Sequence, residues 1–214
     1  MIEQDLTSLK RTVLDMGSLV EQAVHKALWA LGERRPEVAE QVDREDDVID
    51  QKELEVEKEC TRILALHHPV ARDLRFVVTV LNLNHDLERI GDLATNIAER
   101  AASLCASPGF VVPTPLKTMM DCAPRMLRTA LDAFMREDSA MARRVRADDD
   151  EVDDCNREMW TLMQAQMRED IDSIPQYLNL LSCSQQLERI ADLATNLSEA
   201  VVFLVEGDLI RHRL

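Results

Sequence analysis

The amino-acid sequence predicts an all-α protein of six long helices, arranged as two tandem, pseudo-repeated antiparallel three-helix bundles. Five glycines, seven prolines and 3% aromatic residues accompany abundant alanine, leucine and charged residues, a composition that favours helices over strands. Apolar residues recur at steps of three and four, which is the spacing of amphipathic helices. The phrase ERIGDLATNIAE at 88–99 returns as ERIADLATNLSE at 188–199, with nine of twelve positions identical. We therefore expect two copies of one helical unit, each with its own core.

The first unit is expected to span residues 1–106. Its first helix runs from Ile2 to about Arg34 along an apolar stripe formed by Leu6, Leu9, Val13, Met16, Val20, Val24, Ala27 and Leu31. Pro36 suits the first turn of a second helix, which continues to about His68 and is closed by Pro69. Its apolar residues are Val42, Ile49, Leu54, Val56, Ile63 and Leu66. A third helix, from Val70 to about Ala106, carries the first copy of the repeated phrase.

Three prolines and a glycine in SPGFVVPTP predict a linker at 107–115, followed by the second unit at 116–214. The fourth helix extends to about Glu137, and Pro124 marks either a kink or its true start. The fifth helix runs from about Ser139 to Glu169, and the sixth from about Pro175 to Glu206 after a break at DIDSIP. Helices of about thirty residues with short connections pack as antiparallel bundles.

Charge and cysteine usage exclude several classes of partner and location. Forty acidic against twenty-five basic residues give a net charge of −15, which repels nucleic acid and anionic membrane surfaces. The five cysteines form no Cys-x-x-Cys pair, so a disulfide framework or thiolate zinc site is not expected. The N-terminus lacks a basic start followed by an apolar run, and no apolar stretch is long enough to span a membrane. We expect a cytoplasmic protein that does not insert into membranes.

Acidic residues four apart recur at repeat-related places in four of the predicted helices. This spacing is about one helical turn, so both carboxylates of a pair point from the same face. Forty acidic residues give about seven such pairs by chance, so the signal lies in the repeated placement. The pairs, which are our candidate metal ligands, are Asp46/Asp50 and Glu88/Asp92 in the first unit, then Asp149/Asp153 and Glu188/Asp192 in the second.

Facing carboxylates on neighbouring helices would repel each other by roughly 3 kcal/mol per pair of charges at 6 Å and an effective dielectric of 20. Arg89 and Arg189 lie about 100° around the helix from Glu88 and Glu188, so they can neutralise only part of the negative charge of each cluster. Oxygen ligands suit Mg²⁺, Mn²⁺, Ca²⁺, iron or zinc. The alternative is a solvated, salt-bridged helix face without an ion. His67, His68 and His85 are isolated in sequence, and we do not expect them to be ligands.

With these motifs in place, the chain resembles the PhoU family of phosphate-regulation proteins over nearly its whole length. HPVARDLRFVV at 68–78, before ERIGD, also matches the family pattern. The second unit departs from it, because DSIPQYLNLLSC replaces PVARDLRFVVTV and Ala191 replaces Gly91. The resemblance implies a regulator that couples the ATPase subunit of a phosphate ABC transporter to a sensor histidine kinase and represses the phosphate-starvation response when phosphate is plentiful. It also implies iron or zinc clusters on the acidic faces and a homodimer.

No constellation of nucleophile, base and orienting group is evident, so the sequence predicts a protein that is not an enzyme. A glycine-rich phosphate loop is absent too. At a charge of −15 we expect direct phosphate binding only where bound metal supplies positive charge. Two alternatives remain: a helical adaptor without metal, and a ferritin-like carboxylate metalloenzyme. The second needs Glu-x-x-His motifs, and no histidine follows a glutamate at that spacing.

Overall fold

Six helices make up nearly all of the described chain in the computed structural model, which describes residues 2–107 and 109–207. They are α1 (Ile2–Glu33), α2 (Pro36–His67), α3 (Ala71–Cys105), α4 (Thr114–Arg136), α5 (Ser139–Glu169) and α6 (Ile174–Glu206). The all-α prediction is confirmed. Met1, Pro108 of the predicted linker and residues 208–214 of the predicted second unit lie outside the described residues. None of the described helices combines the length and apolar character needed to cross a membrane.

Prolines set the starts of two of the three helices in the second unit. α4 begins at Thr114, two residues before the predicted start of the unit, because Pro115 occupies its first turn, where a missing N–H costs no hydrogen bond. α6 begins at Ile174 with Pro175 in the same position. α4 continues through Pro124, so that residue does not mark its start.

Each unit is a three-helix bundle. α1, α2 and α3 pack against one another, and so do α4, α5 and α6. Because the connections are only a few residues long, consecutive helices run antiparallel. The pairings α2–α3 and α5–α6 place the predicted acidic pairs on neighbouring helices.

The two bundles share one hydrophobic core, so the expectation of two separate cores was wrong. α3 packs against α6 across the molecule, α1 touches α4, and the buried apolar residues of both bundles form a single cluster. α3 and α6 contribute 15 and 14 buried residues, against seven in α2 and five in α5. The two central helices are therefore covered on several faces, whereas α2 and α5 bury one face each.

The outer position of α2 explains an error in its predicted apolar stripe. Val42, Ile49 and Val56 are buried as expected, but Leu54 is 49% exposed and Leu66 is 63% exposed. A helix with one covered face cannot bury apolar residues that lie around its circumference.

The connection between the bundles is packed onto the protein rather than free in solvent. Phe110 and Val112 are buried as part of the common core. The guanidinium of Arg34, at the end of α1, lies 4.4 Å from the ring centroid of Phe110 and donates a hydrogen bond to the Phe110 carbonyl oxygen. This contact fixes the start of the second bundle against the end of the first helix.

Candidate metal centre

The acidic pairs of the first bundle face each other across α2 and α3. Burial, then the charges of Asp50 and Asp92, raises the pKa of Asp46. Burial, then the charges of Asp92 and Glu53, raises the pKa of Glu88. Carboxylates on two helices therefore raise one another's pKa values. We call these five residues the first acidic cluster.

The second bundle repeats the arrangement between α5 and α6. Burial, followed by the charges of Asp192 and Asp153, raises the pKa of Asp149 to about 6. The pKa of Glu188 is raised mainly by burial and next by the negative charges of Asp192 and Asp153. The pKa of Asp192 is raised mainly by burial and next by the charge of Asp153. We call these four residues the second acidic cluster. The raised values mean that the ionised carboxylates disfavour each other in the folded protein.

Salt bridges to protein side chains do not neutralise the predicted carboxylates. Among residues 2–107 and 109–207, none of the eight has a lysine or arginine nitrogen within 4.0 Å. Ion pairs instead involve neighbouring acids that point elsewhere, such as Glu45 with Lys26, and Asp148 with Arg125 at 3.5 Å. Arg189 lowers the pKa of Glu188, but only as the smallest of the contributing effects. A salt-bridged helix face therefore describes the neighbouring acids, not the clusters.

One carboxylate oxygen of the second cluster has no hydrogen-bond partner among residues 2–107 and 109–207. Asp149 Oδ1 is buried and accepts no hydrogen bond. Leaving a buried acceptor unsatisfied costs about 1–3 kcal/mol, and more when it is charged. A cation among the four carboxylates would give this oxygen a ligand bond and reduce the mutual repulsion. The oxygen donors of the cluster are of the type that hard metal ions prefer. Among the described residues, however, no three of these side chains bring one oxygen each within 4.8 Å of one another, so they would have to move closer together to share an ion.

The first bundle contains a three-residue ligand set that the sequence analysis missed. One donor atom each from Glu53, His85 and Glu88 lie within 4.8 Å of one another. His85 precedes Glu88 by three residues on α3, so this His-x-x-Glu spacing was the available signal. An imidazole with two carboxylates suits zinc or iron better than it suits magnesium or calcium. The repeat-equivalent residues in the second bundle, Asn156 and Gln185, cannot reproduce the set.

Gly91 allows α2 to approach α3 closely beside the first cluster. A Cβ atom at Gly91 would lie 3.1 Å from Ile49 Cδ1 and 3.8 Å from Asp46 Oδ1. In the second unit Ala191 stands at the position of Gly91, and Val152 stands at the position of Ile49. Relative to the first unit, α6 therefore carries one more methyl group here and α5 one carbon fewer. The smaller Val152 thus makes room for the methyl group of Ala191.

Comparisons with known proteins agree with this architecture. The family model described as PhoU domain matches residues 13–101 and 116–201. The phosphate-specific transport system accessory protein PhoU homolog of Pseudomonas putida is 40% identical, over 97% of this chain and 82% of that protein. The homolog of Aquifex aeolicus is 34% identical, over 98% and 95%. The crystal structure of PhoU from Pseudomonas aeruginosa superposes with a TM-score of 0.93 at 36% identity, covering 97% of this chain and 100% of the other.

Proposed function

The chain belongs to the PhoU family, and from this premise we propose that it is an accessory regulator of phosphate transport, not an enzyme. Relatives at 40% and 34% identity are named as accessory proteins of the phosphate-specific transport system, and they align over nearly the whole chain. A related crystal structure is described as a phosphate transport system regulatory protein from Streptococcus pneumoniae, with a TM-score of 0.91 and 31% identity. These relationships support a role in the same process.

We infer that the protein acts in the cytoplasm between two partners. It binds the ATPase subunit of a phosphate ABC transporter and a sensor histidine kinase, and represses the starvation response when phosphate is plentiful. The shared core of α3 and α6 supports this role, since it fixes both bundles as one body on which α1, α2, α4 and α5 offer long outer faces. A homodimer would double these faces.

Metal ions in the acidic clusters are the second part of the proposal. The observation that carries it is the buried Asp149 Oδ1 without a partner, among carboxylates with raised pKa values. In the second bundle Asp149, Asp153, Glu188 and Asp192 would hold the ion. In the first, Asp46, Asp50, Glu53, Glu88 and Asp92 would do so, with His85 beside them. Iron or zinc suits the set with His85, and Mn²⁺, Mg²⁺ or Ca²⁺ suits the all-oxygen sets.

Such ions would act structurally. They would cancel the repulsion between α2 and α3 and between α5 and α6, and so hold each outer helix against its central neighbour. The partner-facing surfaces would then keep a fixed shape. A plain helical adaptor would have the same fold without bound metal.

Elemental analysis of the purified full-length chain separates these two possibilities. We expect bound metal in the wild type and a lower content in the double variant Glu88→Ala/Asp92→Ala, together with a lower melting temperature in metal-containing buffer. Asp15→Ala/Glu33→Ala is the matched control, because it removes two exposed carboxylates of α1. A metal-free wild type would favour the plain adaptor, and unchanged metal in the first variant would exclude the first cluster.

The regulatory role is tested in cells. Deleting the gene should raise alkaline phosphatase in phosphate-rich medium, and the wild-type gene should restore repression. Normal repression in the deletion strain would contradict the role, whatever the metal content of the protein.

A further inference from the structure

A small cavity lies beside the second acidic cluster, between the beginning of α5 and the last third of α6. Its volume is about 180 Å³. Arg143 and Arg146 of α5 line it, with Thr195, Ser198 and Glu199 of α6. This volume is below the 300–1,000 Å³ typical of pockets for drug-sized ligands, so it suits a small ion.

Two hydroxyl groups at this cavity have no hydrogen-bond partner within the part of the chain that the structure describes. Ser198 is only 4% exposed, and its Oγ is buried without a partner. Thr195 Oγ1, one turn earlier on α6, is also buried without a partner. Serine and threonine inside helices commonly donate to the carbonyl four residues before them. Because the repeat equivalent Thr95 is also buried without a partner, of the two hydroxyls only that of Ser198 distinguishes this cavity from the first bundle. A ligand with acceptor oxygens would accept both hydroxyl protons.

The arginines are specific to the second bundle. At the repeat-equivalent positions of the first bundle, 103 residues earlier, Arg143 corresponds to Glu40 and Arg146 to Asp43. Two carboxylates of the first bundle are therefore replaced by two guanidinium groups in the second. Fold maintenance does not require this reversal, since both units form the same three-helix bundle.

The polar α6 side of the cavity diverges at one position and is retained at two, one of which is Thr195. Ser198 corresponds to Ala98, so the buried hydroxyl is also specific to the second bundle, whereas Glu199 corresponds to Glu99. The charged residues at these positions sum to −3 in the first bundle and to +1 in the second. Glu206, the ion-pair partner of Arg143, lowers the second sum to 0, so the cavity of the second bundle is less negative than its counterpart but not positive.

An ion pair holds one of the arginines in place. Arg143 Nη2 donates to Glu206 Oε2 at 2.6 Å, near the end of α6. A guanidinium carries five N–H donors in a fixed plane, so one such bond leaves the others for a ligand. The pair thus orients Arg143 at the cavity mouth.

We propose that this cavity binds a phosphate-type oxyanion, held by Arg143 and Arg146 and by the hydroxyls of Thr195 and Ser198. Guanidinium groups bind tetrahedral oxyanions through charge-assisted hydrogen bonds, and the hydroxyls donate to the remaining oxygens. Charges more than about 8 Å away are largely screened at physiological salt, so the repulsion that the two guanidinium groups and the hydroxyls must outweigh comes from Glu199, Glu206 and the second acidic cluster beside the cavity. The site needs no metal, in contrast to the expectation from sequence, and it goes beyond the regulatory role proposed above.

Isothermal titration of the full-length chain with inorganic phosphate tests the proposal. We expect saturable binding that Arg146→Gln weakens by about tenfold or more, and Ser198→Ala by several-fold, since both remove donors to an anion. Arg144→Gln is the matched control, because Arg144 is an exposed neighbour on α5 that does not line the cavity. It should bind phosphate like the wild type. The metal content of Arg146→Gln should be unchanged, which separates this site from the acidic clusters.

Three results would overturn the proposal. The first is that neither inorganic phosphate nor a phosphate monoester such as AMP binds saturably to the wild type. The second is an equal loss in Arg144→Gln, which would indicate non-specific attraction. The third is binding that survives Arg146→Gln but disappears in Asp192→Asn, which would place the anion on a bound metal. Tighter binding of AMP than of phosphate would support the site and identify its ligand as an ester, and the reverse order would identify free phosphate.

Discussion

Replacing Asp149 by asparagine should have opposite effects on stability with and without metal. In the metal-free protein the pKa of Asp149 rises from 3.8 to about 6, chiefly through burial and then through Asp192 and Asp153. Ionisation is therefore harder in the folded than in the unfolded state. At 1.36 kcal/mol per pKa unit the cost at pH 7 has a ceiling of about 3 kcal/mol. Because the side chain is only partly buried and is screened by solvent, we expect about 1–2 kcal/mol.

The sign of the pH dependence follows from the raised pKa. Below about pH 3.8 the carboxyl is neutral in both states and carries no cost, and the cost grows as the pH rises through 6. In chelator, Asp149→Asn should thus melt higher than wild type at pH 7, by about 2–4 °C per kcal/mol. Its stability should also fall less between pH 4 and pH 7.

Metal should reverse this order. An ion that binds only the folded protein stabilises it by mass action, and the asparagine removes a charged ligand. With saturating zinc or ferrous iron, wild type should therefore melt above Asp149→Asn. Thermal unfolding followed by circular dichroism, with and without chelator, measures both differences.

A suitable control is Glu158→Gln, which removes one exposed carboxylate from the opposite face of α5, about 13 Å along the helix. It should change neither comparison. The reasoning is refuted if Asp149→Asn destabilises the protein equally in chelator and in metal, since the carboxylate would then be an ordinary structural residue.

Three further predictions concern neighbouring parts of the molecule. In Gly91→Ala, overpacking against Ile49 should cost about 1–2 kcal/mol, and the higher helix propensity of alanine should return about 0.5–1 kcal/mol of it. The cost should be smaller when the change is made in an Ile49→Val background; urea unfolding measures this, and strict additivity of the two changes would contradict it. Glu137→Gln should lower the free energy of unfolding by up to about 1 kcal/mol, because Glu137 accepts a hydrogen bond from Lys10 at 2.8 Å and this contact lowers its pKa. The loss should be present at pH 7 and disappear as the pH falls below 4.5; a loss that does not depend on pH would exclude the ionic explanation. His85→Ala should lower zinc content by elemental analysis, whereas retention of all bound zinc would remove the histidine from the site.

The helices could be predicted from local features alone. Apolar residues at steps of three and four identify the buried face of α1, and prolines set the first turns of α4 and α6. The fourth helix begins at Thr114, two residues before the unit boundary expected at 116, because a proline at the start of a helix and one in a linker look alike in sequence. The repeat relates the four acidic stretches by shifts of 100 and 103 residues, and their role as metal ligands stays a prediction.

Contacts between distant segments could not be predicted in this way. Leu54 and Leu66 fit the helical period of α2 but lie outside the face that its neighbours cover. Glu53 and His85 are 32 residues apart in sequence and come together only because α2 and α3 are antiparallel. Pattern reasoning, which follows one helix at a time, has no access to this register.

The sequence by itself determined six amphipathic helices, their duplication, and the presence of two carboxylates on one face of each of four helices. These properties depend on neighbours within a few residues, which the chain specifies directly. Only the tertiary structure decided that α3 meets α6, so that two bundles bury one common core, and that two arginines and two hydroxyls converge on one cavity. Those outcomes depend on how helix surfaces fit together, and shape complementarity across the fold is not encoded in the periodicity of any single helix.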